Sequence, residues 1–316
     1  MKRLLYLGLA FVFLFACINV AEKVMEQGDV KGPVDVTKIT TKENATVVIP
    51  KTEGNKTLQA SDVLKIYFIE VNDDETEGDA ILINQGEFNM LVDTGPESGS
   101  QKLIAYLKGK GVERLDALVI TINDKNQYGG ISALTKEFKI TDLWTFAMRS
   151  ASSDYNSVIN SITADRVVYL ARGITKSYGD LEIEVLNPTM ENSNPDLKLN
   201  AAVLKLTYKS MCILLTSELN AGGQRDLLNR FDIQCPVLQI PDHGLGDSNR
   251  QAFLFIRAVK PQYAIISGGP SSLKDEEGRG PIRQILSQDN VTLLENYMGG
   301  TVVIETNGVE YSVRYE

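Results

Sequence analysis

Histidine is almost missing: a chain of 316 residues carries one, His243. Imidazole is the commonest general base near neutral pH and the commonest metal ligand. Its scarcity excludes histidine-rich metal centres and leaves only His243 to assist a serine or cysteine nucleophile. Cysteine is scarce too, three residues with no Cys-x-x-Cys pair, which excludes a sulfur-held zinc site. No Gly-x-x-x-x-Gly-Lys element is present to cradle a phosphate. No apolar run approaches the roughly 20 residues that span a bilayer, and no basic run with interleaved aromatics marks a nucleic-acid groove.

What is present is acid. The formal net charge is −9, and the imbalance grows along the chain. The first 61 residues hold 8 Lys and Arg against 6 Asp and Glu, so residues 62–316 carry 24 basic and 35 acidic side chains, a net charge of −11. Such a surface repels polyanions unless a basic groove is carved locally, which disfavours direct nucleic-acid binding.

The N-terminus reads as an export signal. Lys2 and Arg3 precede the apolar run 4–16, and Leu14-Phe15-Ala16-Cys17 resembles a lipoprotein processing box. Lipidation of Cys17 would tether the mature chain to a membrane surface without crossing it. An ordinary cleaved signal or a short anchor helix is the alternative, and each places the rest outside the cytoplasm. Residues 18–61 lack sustained apolar periodicity and read as a flexible linker. The expected boundaries are therefore 1–17, 18–61 and 62–316. Asn44, Asn55 and Asn290 open sequons that an exported protein could glycosylate, depending on the organism. Cys212 and Cys235 sit at strand-like positions. Buried free thiols are the expectation, with a disulfide as the alternative that spacing alone does not decide.

Residues 62–316 suffice for one large core. Strand-like runs at 64–71, 79–84 and 88–92 give way to a helical pattern at 99–110, a strand at 115–121, a helix at 130–138 and a strand from Asp142. The plan then repeats: strand runs at 166–171, 181–187, 201–208 and 211–216, a helix near 220–230 and a strand at 236–240. A helix near 249–258, a strand at 263–267, a helix near 281–288 and closing strands complete it. Two halves, each with strands first and helix–strand units after, predict an α/β fold of four layers, an αββα sandwich.

Several landmarks in fixed order carry a resemblance. Gly78-Asp79-Ala80 follows the first strand, Asp93-Thr94-Gly95-Pro96 ends the third, and Ile122 to Gln127 precedes Tyr128-Gly129-Gly130. Thr216-Ser217-Glu218 and Asp242-His243-Gly244 end two later strands. From about residue 64 onward the chain resembles the metallo-β-lactamase superfamily, and within it the extracytoplasmic domain of ComEC-type DNA-uptake proteins. The resemblance implies that Asp79, Asp93, the 122–128 loop, Glu218 and the 242–247 loop meet at one edge. It also exposes a departure. The zinc-binding His-x-His-x-Asp-His frame has become Ile122-Asn123-Asp124-Lys125-Asn126-Gln127, Glu218 stands for a bridging aspartate, and Asp242-His243 stands for a His-His pair. A late histidine expected before a proline is missing, because Gly280 precedes Pro281. A six-residue insertion, Asn72 to Glu77, departs as well.

Two chemistries are compatible with this frame. In the favoured one the zinc site is eroded and no cofactor is bound. Asp93, Thr94 and Gly95 then organise a turn, and the chain is a binding or accessory module for an unknown protein or small-molecule ligand. In the other, Asp124, Glu218, Asp242 and His243 form an oxygen-rich site for Mg²⁺, Mn²⁺ or Ca²⁺, with Asp79 as proton acceptor in phosphoester hydrolysis. An accessory role in DNA uptake rests on the resemblance alone. Tyr128, Trp144, Phe146 and Tyr155 read as core before they read as cleft.

Overall fold

The structure, a computed structural model, describes residues 62–73, 75–146, 152–189, 196–245, 252–269 and 278–316. The expected signal segment, Cys17, the linker, Asn44, Asn55, the tip of the 242–247 loop and the start of the 249–258 helix lie outside the described residues.

Among the described residues, fifteen strands build two sheets. They are β1 (Leu64–Phe68), β2 (Ile81–Gln85), β3 (Phe88–Val92), β4 (Arg114–Val119), β5 (Lys139–Thr145), β6 (Ala164–Tyr169), β7 (Thr175–Tyr178), β8 (Leu181–Asn187), β9 (Val203–Tyr208), β10 (Met211–Leu215), β11 (Val237–Gln239), β12 (Tyr263–Ile266), β13 (Thr292–Glu295), β14 (Val302–Thr306) and β15 (Tyr311–Tyr315). One sheet runs β15-β14-β1-β2-β3-β4-β5-β6 and the other β13-β12-β11-β10-β9-β8-β7. Each sheet is antiparallel at one end and parallel at the other, with the parallel strands joined through helices.

The core explains the layering. Alternate strand residues face inward between the sheets, Ile66, Phe68, Met90, Val92 and Trp144 against Ile183, Leu204, Leu206, Ile213 and Val237. The other faces of both sheets are apolar as well. Leu82, Leu91 and Leu118 pack under the helix Ser100–Gly109 through Leu103, Ile104 and Leu107. Leu214, Leu238 and Ala264 pack under Phe253–Val259 and Gly280–Gln288. Strands buried on both faces require helices on both sides, which is the αββα sandwich expected from the pattern. Trp144, Tyr128 and Tyr155 are core residues, and Phe146 packs half-buried against the core.

Local differences have local causes. The helix expected over 130–138 is only Ile131–Leu134, and its C-terminal part continues as turns in which Lys136 N–H donates to Ala133 O and Glu137 N–H to Leu134 O. A helix at Ser153–Ser161, capped by Ser152, and the polar edge strand β7 escaped the apolar pattern, since neither buries a full face. Cys212 and Cys235 form a disulfide, with Cα atoms 5.2 Å apart, and are not the free thiols expected. Cys212 lies on β10 and Cys235 just ahead of β11, and parallel pairing of those strands brings their N-terminal ends together.

An ion cluster bridges the sheets at one edge. The fully buried Asp142 on β5 accepts from Arg166 (2.7 Å) on β6 and from Lys176 (3.2 Å) on β7 of the opposite sheet. Burial alone would raise the Asp142 carboxyl, but the Arg166 and Lys176 hydrogen bonds and charges outweigh it and hold its pKa below the usual value. A carboxyl whose pKa is lower folded than unfolded stabilises fully above its unfolded value of 3.8 and loses that contribution as pH falls through the folded one. The melting temperature of Asp142→Asn should therefore fall less steeply below about pH 4 than that of the parent chain. Parallel acid limbs in the two melting profiles would contradict the bridge.

Candidate functional site

The site is assembled from strand ends. Asp93 after β3, Ser217 after β10, and Asp242 with His243 after β11 all adopt left-handed backbone angles, φ between 49° and 57°. That conformation costs an L-residue roughly 1–2 kcal/mol and ends each strand by turning its side chain out of the pleat. Gly78 positions Asp79 differently: a Cβ there would lie 1.9 Å from the Asn126 carbonyl oxygen, so only glycine admits the 122–128 loop.

Asp93, Thr94 and Gly95 join distant segments where a local turn was expected. Asp93 accepts from the backbone N–H (2.9 Å) and hydroxyl (2.5 Å) of Thr121. The Thr121 hydroxyl also meets Ser217 Oγ at 2.6 Å, reaching across to the second half of the chain. Thr94 N–H donates to Gln127 O, and Gly95 N–H donates to Asp79 O, both at 2.7 Å.

Gln127 occupies the middle. Its side chain is fully buried, Oε1 accepts from Asp79 N–H (2.6 Å), and Nε2 donates to Glu218 (2.9 Å) while lying 3.2 Å from His243 Nε2. His243 donates through Nδ1 to Ser267 O (2.5 Å), with Asp79 3.9 Å from Nδ1 and Glu218 3.7 Å from Nε2. Ser267 Oγ donates to Asp79 Oδ1, while Oδ2 of Asp79 is buried without a hydrogen-bond partner.

Lys198, which no motif singled out, reaches this group from the turn Lys198–Asn200. Its ammonium lies 3.2 Å from Glu218 Oε2 and hydrogen-bonds Asp242 Oδ1. Arg279 was also missed. Its guanidinium is fully buried and donates to His243 O (2.9 Å), Gly269 O (3.0 Å) and Glu77 Oε2 (3.1 Å), beside the Tyr297 ring. Glu77 comes from the 72–77 insertion, which the sequence displayed, though not what it pairs with.

The structure thus brings Glu218, Asp242 and His243 together with Asp79. Asp124 instead caps the helix Lys125–Tyr128, accepting from Asn126 N–H (2.8 Å). Burial would lower the His243 pKa, but Asp79 and Glu218 push it up to about 10. Burial would raise Glu218, yet His243, Lys198 and Gln127 bring it down to about 2. Asp93 is driven well up, by burial first and the nearby Asp79 second. The result is a His243–Glu218 pair held charged beside carboxyls that burial drives up.

This donor set does not fit zinc. Both imidazole nitrogens are committed, the Gln127 oxygen is held by Asp79 N–H, Asp124 is spent on a cap, and Glu218 and Asp242 share an ammonium. Among the described residues, no three His, Cys, Asp or Glu side chains are grouped to hold a metal ion. No helix among them is long and apolar enough to cross a membrane.

No family model matches the chain. It is similar to ComE operon protein 3 of Bacillus subtilis, 28% identical over 208 residues covering 65% of this chain and 26% of that protein. Competence protein ComA of Neisseria gonorrhoeae is 25% identical over 199 residues, 62% of this chain and 26% of that protein. The matches span about a quarter of the length of those relatives. Among solved structures, the metallo-β-lactamase fold protein YhfI of Bacillus subtilis superposes with a TM-score of 0.55 at 12% identity, over 78% of this chain and all of that one. A mutant of CmlA β-hydroxylase, a Streptomyces venezuelae protein, gives 0.51 at 11% identity, over 77% of this chain and 54% of that one. The chain has the metallo-β-lactamase fold and, within it, is similar in sequence to ComEC-type competence proteins.

Proposed function

We propose that this chain is an accessory or binding module outside the cytoplasm that keeps the metallo-β-lactamase scaffold without its hydrolytic centre. The observation that carries the reading is Gln127. A buried amide with its oxygen and nitrogen both engaged fills the middle of the polar cluster, between Asp79, Glu218 and His243. Activating a water by metal requires several free ligand atoms and an open coordination position, and here the Gln127 amide fills that space. The Cys212–Cys235 disulfide supports an oxidising compartment, as the export signal does. Lipidation at Cys17 would hold the domain at a membrane surface. An accessory role in DNA uptake is compatible with the similarity to competence proteins, while the acidic charge argues for a protein or small-molecule ligand over DNA itself.

The rival reading, a metal-dependent phosphoesterase, draws support from the orphaned Oδ2 of Asp79 and from the convergence of its carboxyl with Glu218 and Asp242. Elemental analysis of the purified chain, with a phosphodiester assay across Mg²⁺, Mn²⁺ and Zn²⁺, separates the two. The expected outcome is substoichiometric metal and no turnover. Stoichiometric metal with turnover abolished in Glu218→Ala would replace the module by the hydrolase.

A further inference from the structure

We infer that the Lys198 ammonium is the resident cation of this site, binding Glu218 to Asp242 where the fold family would use a metal ion. The inference rests on the non-catalytic reading above and deepens it.

Glu218 and Asp242 close two adjacent parallel strands, and their side chains are only 6% and 7% exposed. Two carboxylates brought together out of water repel, and one must be neutralised or paired. Lys198 Nζ pairs with both. Burial opposes its charge, and the two carboxylates overcome that opposition.

The Lys198 side chain is 44% exposed, but the turn that aims it is fixed through its backbone. Lys198 N–H donates to Asp196 (3.0 Å), and Lys198 O accepts from Asn220 N–H (3.2 Å) at the cap of the helix Ala221–Arg230. Asn187 donates to Leu199 O (3.0 Å) and Ala201 O (2.7 Å), fixing the turn that carries the lysine. Three ammonium hydrogens on a compact head satisfy oxygen ligands from several directions, as a hard cation would. A divalent ion therefore has to evict a covalently tethered competitor before it meets these two carboxylates.

The test compares the full chain with Lys198→Met, Lys198→Arg and Lys198→Met/Glu218→Gln. Thermal melting with and without millimolar Mn²⁺ is read alongside metal content after dialysis. The parent should show no Mn²⁺-dependent shift. Lys198→Met strands the buried Asp242 carboxylate and takes one partner from Glu218, which keeps Gln127 and His243, and should melt about 5–10 °C lower, with Mn²⁺ restoring most of the loss and remaining bound after dialysis. Lys198→Arg should keep the parent's indifference to Mn²⁺. The double variant should regain stability without metal and lose the Mn²⁺ response. If Lys198→Met does not fold, the double variant decides: recovery supports the inference and continued failure overturns it. A Lys198→Met protein that melts like the parent and ignores Mn²⁺ overturns the inference while the non-catalytic reading stands. A parent that binds Mn²⁺ and hydrolyses phosphodiesters overturns that reading first.

Discussion

Arg279→Met should destabilise the chain by about 3–5 kcal/mol, the usual cost of breaking a buried ion pair from one side. The guanidinium is fully buried, and its loss leaves the largely buried Glu77 carboxylate without the partner at 3.1 Å. It also strips a donor from His243 O and another from Gly269 O, both in buried surroundings. For a domain of this size each kcal/mol moves the melting temperature by roughly 2–4 °C, so a fall of about 10 °C is expected. Thermal melting and urea denaturation measure it. Adding Glu77→Gln to Arg279→Met should return part of the loss, because much of the cost is the stranded charge. A loss under about 1 kcal/mol would show that the guanidinium does not organise the His243 loop.

Removing the disulfide ranks next. Cys212 and Cys235 are separated by 23 residues, a loop whose closure in the unfolded chain is worth about 3 kcal/mol in the chain-entropy account. Cys212→Ser/Cys235→Ser should melt about 6–12 °C below the oxidised parent. Reductant should lower the parent to the same temperature and leave the double variant unmoved. The bridge ties β10 to the approach to β11, and the far ends of those strands hold Glu218 and Asp242-His243. Two reactive thiols in the native, non-reduced protein would contradict it.

The site lies at the exits of the same strands that the apolar runs mark. Val92 is the last buried position of β3 and Leu215 of β10, and the polar residues that follow each run are the ones in the buried cluster. Periodicity therefore located the ends of β3, β10 and β11 to within a residue, and the resemblance marked Asp93, Glu218 and Asp242-His243 beyond them. Partners were another matter. Asp124 reads as a ligand in the frame Ile122 to Gln127, yet helix capping competes for short carboxylates and wins locally. Gln127, which reads as a weak neutral donor, becomes the hub because its two amide ends face a backbone N–H and a carboxylate at once.

Residue pattern by itself determined the layered α/β architecture and the strand ends that bear polar groups, and the resemblance added that Ile122 to Gln127 holds no histidine where its frame has three. These depend on hydrophobic period and residue identity, both of which are local. Only the tertiary structure decided that Lys198 stands between Glu218 and Asp242, that Arg279 meets Glu77 from 202 residues away, and that Cys212 is bonded to Cys235. Those pairings turn on distance in space, and in a chain folded from two halves neither spacing nor composition encodes it.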